Sequence, residues 1–219
     1  MAIKGLIFDL DGTVTLTQQL HAQTFAEIFK KHGLNYTAED DARFSGRGSH
    51  CTFPEFFKEN GITLTPEQVE EYSNEKRTIY DELIKHVHIK TVPGIENFLE
   101  KQKARGMKIA MATGNRIEAT TVLLNRTGLR NYFPKIVTNR EVKNSKPAPD
   151  IFLKAAEELE LKPEECIVFE DAVNGVQAAK SGGMRCIALL TTTPQKKLEA
   201  AGADHLVKNY DEVKDSILK

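Results

Sequence analysis

Long apolar runs are missing from this chain. No segment of its 219 residues approaches the roughly 20 consecutive apolar residues that a membrane-spanning helix needs. Cysteine is scarce as well: Cys51, Cys166 and Cys186 are an odd number without metal-ligand spacing. Two of them, Cys166 and Cys186, lie in apolar runs and read as small core residues, which suits a reduced chain with a cytoplasmic location. An excess of one charge sign is absent too. Thirty Lys and Arg against 31 Asp and Glu leave a net charge of −1, so neither nucleic acid nor a membrane surface is an expected partner. The opening MAIKGLIFDLDG has one lysine and a short apolar run cut by Asp9, which is not the pattern of a signal peptide. Repeats, low-complexity tracts and long linkers are also lacking. What remains is an ordinary soluble balance, 40% hydrophobic and 28% charged, long enough to bury roughly 70% of its unfolded surface. A monomer is the default expectation.

Two textures alternate along the chain. From residue 92 onward, short apolar runs (KIAMAT, KIVT, CIVFE, RCIALL, DHLV) take turns with longer amphipathic stretches, several of them ending on a glycine (Gly106, Gly128, Gly182, Gly202). With IKGLIFD at the start, this predicts an α/β fold whose Rossmann-like, doubly wound parallel sheet is covered on both faces. Residues 16–91 read differently. Leu20, Phe25, Ile28 and Phe29, then Phe53, Phe56 and Phe57, recur at helical spacing, and Thr65-Pro66-Glu67-Gln68 resembles a capping box opening a helix to about Ile84. The expected organisation is an α/β core at 1–15 and 92–219 with a helical cap at 16–91. The three phenylalanines of the second group read as packing inside that cap rather than as a substrate platform.

In open α/β sheets, ligands bind outside the carboxyl ends of the strands. Four such ends here carry polar groups: Asp9 and Asp11 in FDLDGT, Thr113 in ATGN, Lys146 in SKPAPD, and Glu170 and Asp171 in FED. Four carboxylates at one edge repel one another and are costly to bury unpaired. A hard divalent cation with oxygen ligands removes that difficulty, and Mg2+ suits a few carboxylates plus phosphate. Lys146 and the Thr113 hydroxyl would then hold an anionic group, most naturally a phosphoryl group. Beside such a cation Asp9 can act as a nucleophile, forming an acyl-phosphate. Asp11, two residues on, can serve as general acid and then general base.

FDLDGT, ATGN, SKPAPD and FEDAVNGVQAAKSGG resemble, in order and at suitable spacing, the four signature motifs of the haloacid dehalogenase superfamily. The insert resembles the helical cap of the subfamily that includes β-phosphoglucomutase and many sugar-phosphate phosphatases. The resemblance implies Asp9 as phosphorylated nucleophile and Mg2+ ligand, and Asp11 as acid/base that also gives its carbonyl to the metal. It implies Asp171 as a second carboxylate ligand, Glu170 supporting the metal, and Thr113 and Lys146 binding the phosphoryl group. Gly114, Asn115 and Arg116 would border that group or the substrate. The second aspartate also decides the branch, because dehalogenases and phosphonate hydrolases of the superfamily lack it.

For the cap, the resemblance implies closure over the site and substrate choice. His21, Lys76 and the loop Phe44-Ser45-Gly46-Arg47-Gly48 match positions that face substrate in relatives, and Thr17 lies in the polar stretch leading into the cap. Two departures matter. Ser45 and Ser49 stand where the mutase keeps the lysine and arginine that grip a second phosphate, with Arg47 as a possible substitute. Leu16 stands where relatives usually carry an aspartate. The expected activity is therefore Mg2+-dependent hydrolysis of a small phosphorylated metabolite, a sugar phosphate first. A phosphosugar mutase is the alternative, followed by an inorganic pyrophosphatase or a non-catalytic phosphoryl-binding relative. The other histidines (His32, His50, His86, His88, His205) form no metal pattern.

Overall fold

A computed structural model describes residues 2–44 and 47–218. The chain divides into two compact units, one comprising the residues up to Leu16 and from Ile89 on, the other Thr17–His88.

The first unit is built on a six-stranded, wholly parallel sheet among the described residues: β1 (Gly5–Phe8), β2 (Lys108–Thr113), β3 (Lys135–Thr138), β4 (Cys166–Glu170), β5 (Arg185–Leu189) and β6 (His205–Val207). β1 and β4 are buried along their whole length, which is why they read as unbroken apolar runs rather than alternating ones. Successive residues still face opposite sides. Phe8 and Phe169 stack with ring centroids 4.7 Å apart and meet Phe98 of α5 (Ile95–Ala104), Phe133 and Tyr210 on one face. Ile7 and Val168 join the other face, where α7 (Asp150–Glu158) and α8 (Val173–Ser181) bring Ile151, Phe152, Ala155, Val176 and Ala179. Complete burial of a side chain such as Phe8 contributes about 1.5–3 kcal/mol.

The strand order is β3-β2-β1-β4-β5-β6. The chain winds outward from β1 through β2 to β3, then crosses to β4 on the opposite side of β1 and winds the other way. The reversal leaves a crevice outside the carboxyl ends of β1 and β4, where an open α/β sheet takes its ligand. Register does the rest. Phe8 lies level with Phe169, and the Asp9 N–H donates to the Phe169 carbonyl at 3.0 Å, so Asp9 and Glu170 leave the sheet together.

The second unit holds α1 (Gln18–Lys31), α2 (Ala38–Phe44), α3 (Ser49–Glu59) and α4 (Pro66–His86) around Phe25, Ile28, Phe29, Phe44, Phe53, Phe56 and Phe57. α4 opens as its sequence predicts: Thr65 Oγ1 accepts from the Gln68 N–H, and Gln68 Oε1 accepts from the Thr65 N–H. One expected helix stop moves by a residue. Gly182 keeps φ −80°, and Gly183 takes the left-handed turn at φ +75° after α8. Cys166 and Cys186 are buried, whereas Cys51 is exposed. No helix among the described residues is long and apolar enough to cross a membrane.

Candidate active site

Lys146 is the centre of the charge arrangement. Its Nζ donates to Asp9 Oδ1 and Glu170 Oε1, both at 2.6 Å, and approaches the Ala112 carbonyl at 3.3 Å. The ammonium also lies over the Phe152 ring, with Nζ 4.7 Å from its centroid. Asp9 and Glu170 are buried, and the Lys146 side chain is 11% exposed. Burial alone would pull the ammonium down, but Asp9 and Glu170 beside it more than offset that and hold its pKa above the ordinary value. Asp9 shows the opposite balance. Burial, together with the charges of Glu170 and Asp11, outweighs Lys146 and pushes its carboxyl up to about 7.

Asp171 completes the group. One oxygen from each of Asp9, Glu170 and Asp171 lies within 4.8 Å of the others, and all three residues are buried. Burial first, then Glu170 and Asp9, push Asp171 well above the usual carboxylate range. Glu170 Oε2 accepts from the backbone N–H groups of Asp171 (2.8 Å) and Ala172 (3.0 Å) at the start of α8. Among the described residues, three buried carboxylates gather beside the Lys146 ammonium, and their full ionisation would leave negative charge in excess. A hard, oxygen-seeking divalent cation fits this donor set.

Asp11 stands two residues beyond Asp9 and less deeply buried. Its carboxylate lies outside that three-residue group. Asn115 Nδ2 donates to Asp11 Oδ2 at 2.6 Å, and the Asn115 N–H donates to Thr113 Oγ1 at 3.1 Å. The second motif, expected to face a phosphoryl group, thus also ties down the first motif's second aspartate. Gly114 is exposed in the same turn, and Arg116 caps α6 (Ile117–Arg126). Gly12 takes φ +77° between the two halves of the site, and a Cβ there would run into the Asp171 carboxylate.

In the helical unit, His21 and Lys76 come together. Lys76 Nζ lies 3.3 Å from His21 Nδ1 and 4.4 Å from the centre of the Phe25 ring, and His21 stacks on Tyr80 at 4.2 Å. Thr17 is buried just before α1, where its carbonyl accepts from the Leu20 N–H. Arg47 is not drawn into this group. Its guanidinium forms two hydrogen bonds with Glu55, at 2.9 and 2.5 Å, beside the Phe44 ring. Ser45 and Gly46 fall outside the described residues. Leu16, the last residue before this unit, is partly exposed and its N–H donates to the Lys90 carbonyl.

Sequence inspection missed the strand end at β5. The run Thr191-Thr192-Thr193 follows it, and Thr192 donates to Asp171 Oδ2 while Thr191 donates to the Gly12 carbonyl at 2.6 Å. Hydroxyls at the carboxyl edge of the sheet were the available signal.

A doubly wound sheet with buried acids and a lysine at its switch point defines the phosphoryl-transfer type of α/β hydrolase site. The haloacid dehalogenase-like hydrolase model matches residues 6–189, and the chain belongs to that family. The chain is 32% identical over 212 residues to the phosphorylated carbohydrates phosphatase of Thermotoga maritima, covering 94% of both proteins. It is also 32% identical over 183 residues to the fructose-1-phosphate phosphatase of Escherichia coli, covering 84% of this chain and 94% of that protein. Among solved structures, β-phosphoglucomutase from Clostridium difficile superposes with a TM-score of 0.86 at 26% identity, covering 99% of this chain and 95% of that one.

Proposed function

We propose that this hydrolase is a Mg2+-dependent phosphatase of small phosphorylated carbohydrates that works through a phosphorylated Asp9. The carrying observation is the buried cluster itself: three carboxylate oxygens within 4.8 Å of one another, with Lys146 bridging two of the three residues. The phosphatase relatives support the substrate class.

In the proposed reaction, Asp9 attacks phosphorus, the bond to the sugar oxygen breaks, and Asp11 gives that oxygen its proton. Water then attacks the phosphorus of the aspartyl-phosphate. Asp11 takes the water's proton, the acyl-phosphate P–O bond breaks, and Asp9 is regenerated as a carboxylate. Lys146 and Thr113 hold the phosphoryl oxygens, joined by the backbone of Gly114 and Asn115. Asn115 keeps Asp11 aimed through its 2.6 Å hydrogen bond. Asp9, Glu170 and Asp171, with the Asp11 carbonyl, would hold Mg2+, which supplies positive charge against both the carboxylates and the transferring group. His21, Lys76, Thr17, Gly46 and Arg116 are assigned to substrate selection.

Hydrolysis is favoured over mutase turnover because Arg47, the one basic substitute for the mutase's anion grip, is engaged by Glu55. The test is phosphate release from a panel of pentose and hexose phosphates, with Mg2+ and with EDTA. Turnover by the native protein should vanish with EDTA and with Asp9→Asn, and should fall about 10²–10⁴-fold with Asp11→Asn. Turnover that survives Asp9→Asn would reject the covalent route. Absence of release, with isomerisation of a sugar phosphate in the presence of a bisphosphate primer, would establish the mutase instead.

A further inference from the structure

The turn after β5 reaches back into the site from a part of the chain that carries none of the family's motif residues. Thr192 Oγ1 donates to Asp171 Oδ2, with the Asp171 carbonyl 3.2 Å away, while Thr13 Oγ1 donates to Asp171 Oδ1 at 3.1 Å. Each oxygen of one buried carboxylate therefore receives one hydroxyl. The neighbouring Thr191 donates to the Gly12 carbonyl at 2.6 Å. Gly12 is packed so closely that a Cβ there would meet both the Asp171 carboxylate and Thr192 Cγ2. Thr13 is itself held from behind, its carbonyl accepting from the Tyr210 hydroxyl at 3.1 Å.

We propose that Thr192 is a positioning residue for Asp171, and that the Thr191-Thr192 turn locks the fourth-motif carboxylate to the first-motif turn in the geometry that receives a divalent cation. The inference rests on the cation-dependent reading of the site. Its physical basis is rotational. An ionised carboxylate has about four acceptor positions, and two hydroxyls on opposite oxygens fix the plane of the group while leaving one position on each oxygen for a cation. With Thr13 alone, the carboxylate could turn about its Cβ–Cγ bond towards Asp9 or away from it. Residues that orient ligands in this way typically change metal affinity by about 10–100-fold when lost.

The test is direct Mg2+ binding by titration calorimetry, with metal-free melting as a second readout, for native protein, Thr192→Val, Thr192→Ala and Thr192→Ser. Val keeps the shape and removes the donor; Ala repeats the test should Val fail to fold; Ser returns the donor. The expected result is an Mg2+ dissociation constant raised about 10–100-fold in Thr192→Val and Thr192→Ala, largely restored in Thr192→Ser, with little change in metal-free melting. Native-like Mg2+ affinity in the Val and Ala variants would overturn the proposal. So would a loss that Ser fails to restore, which would point to packing alone. Failure of the native protein to bind Mg2+ is a separate result, and it would remove the underlying reading along with this one.

Discussion

Asp9 is buried beside two other carboxylates, yet the proposed reaction requires it to lose its proton before it attacks phosphorus. In the metal-free chain burial pushes its carboxyl up to about 7, and Asp171 is raised as well. The folded chain therefore holds these protons more tightly than the unfolded chain, where the ordinary value is 3.8. The contribution of Asp9 to stability is fully present below that value and is lost as pH rises through about 7, and that of Asp171 has the same sign. Without metal, the protein is expected to be less stable at about pH 8 than at about pH 5, and Asp9→Asn should flatten that slope. Urea unfolding in EDTA at the two pH values checks this, and an equal slope in both proteins would remove Asp9 as its source. A cation in the site would replace those protons, so saturating Mg2+ should restore stability mainly at the higher pH.

Among the elements, α8 shows how a helix can serve the site through a residue with no side chain. Gly175 lies in its first turn, and a Cβ there would overlap the Glu170 carboxylate. Glu170 cannot simply swing aside, because Lys146 and the N–H groups of Asp171 and Ala172 hold both of its oxygens. On helix propensity alone, Gly175→Ala should stabilise α8 by about 1 kcal/mol. At this position it is instead expected to lower kcat/KM by about tenfold or more, about 1.4 kcal/mol in the transition state, with helix content by circular dichroism unchanged. Native activity in Gly175→Ala would mean that Glu170 has room the packing does not indicate.

At the scale of the whole molecule, the two units have separate cores of different kinds. The sheet unit packs aliphatic side chains under α7 and α8 and an aromatic group on its other face. The helical unit is stabilised by a dense aromatic cluster in which Phe29 meets Phe53, Phe56 and Phe57 within 5.5 Å between ring centroids. Removing the fully buried Phe29 ring as Phe29→Ala should cost that cluster about 3–5 kcal/mol. Hydrogen exchange is expected to speed up across α1, α3 and α4 while amides in β1 and β4 keep their protection. Equal loosening of the strands would show that the units unfold as one.

The elements, and most of the polar groups at their ends, could be read from local sequence alone. Alternating apolar runs and amphipathic stretches specify strands and helices through contacts only a few residues apart, and the capping box at Thr65 is of the same local kind. FDLDGT, ATGN and FED were likewise legible, because each keeps its polar groups at the end of an apolar run, and SKPAPD lies in the loop that follows another. Which of these ends meet is set by the folded chain. Strand order and register bring Asp9 level with Glu170, Asn115 to Asp11 and Thr192 to Asp171. Those partners lie far apart along the chain, and no short-range pattern encodes them. Arg47 makes the same point: nothing in its local sequence shows that Glu55, eight residues on, forms two hydrogen bonds with its guanidinium. Pairing across a fold depends on packing distances, and those exist only once the sheet has closed its order around β1.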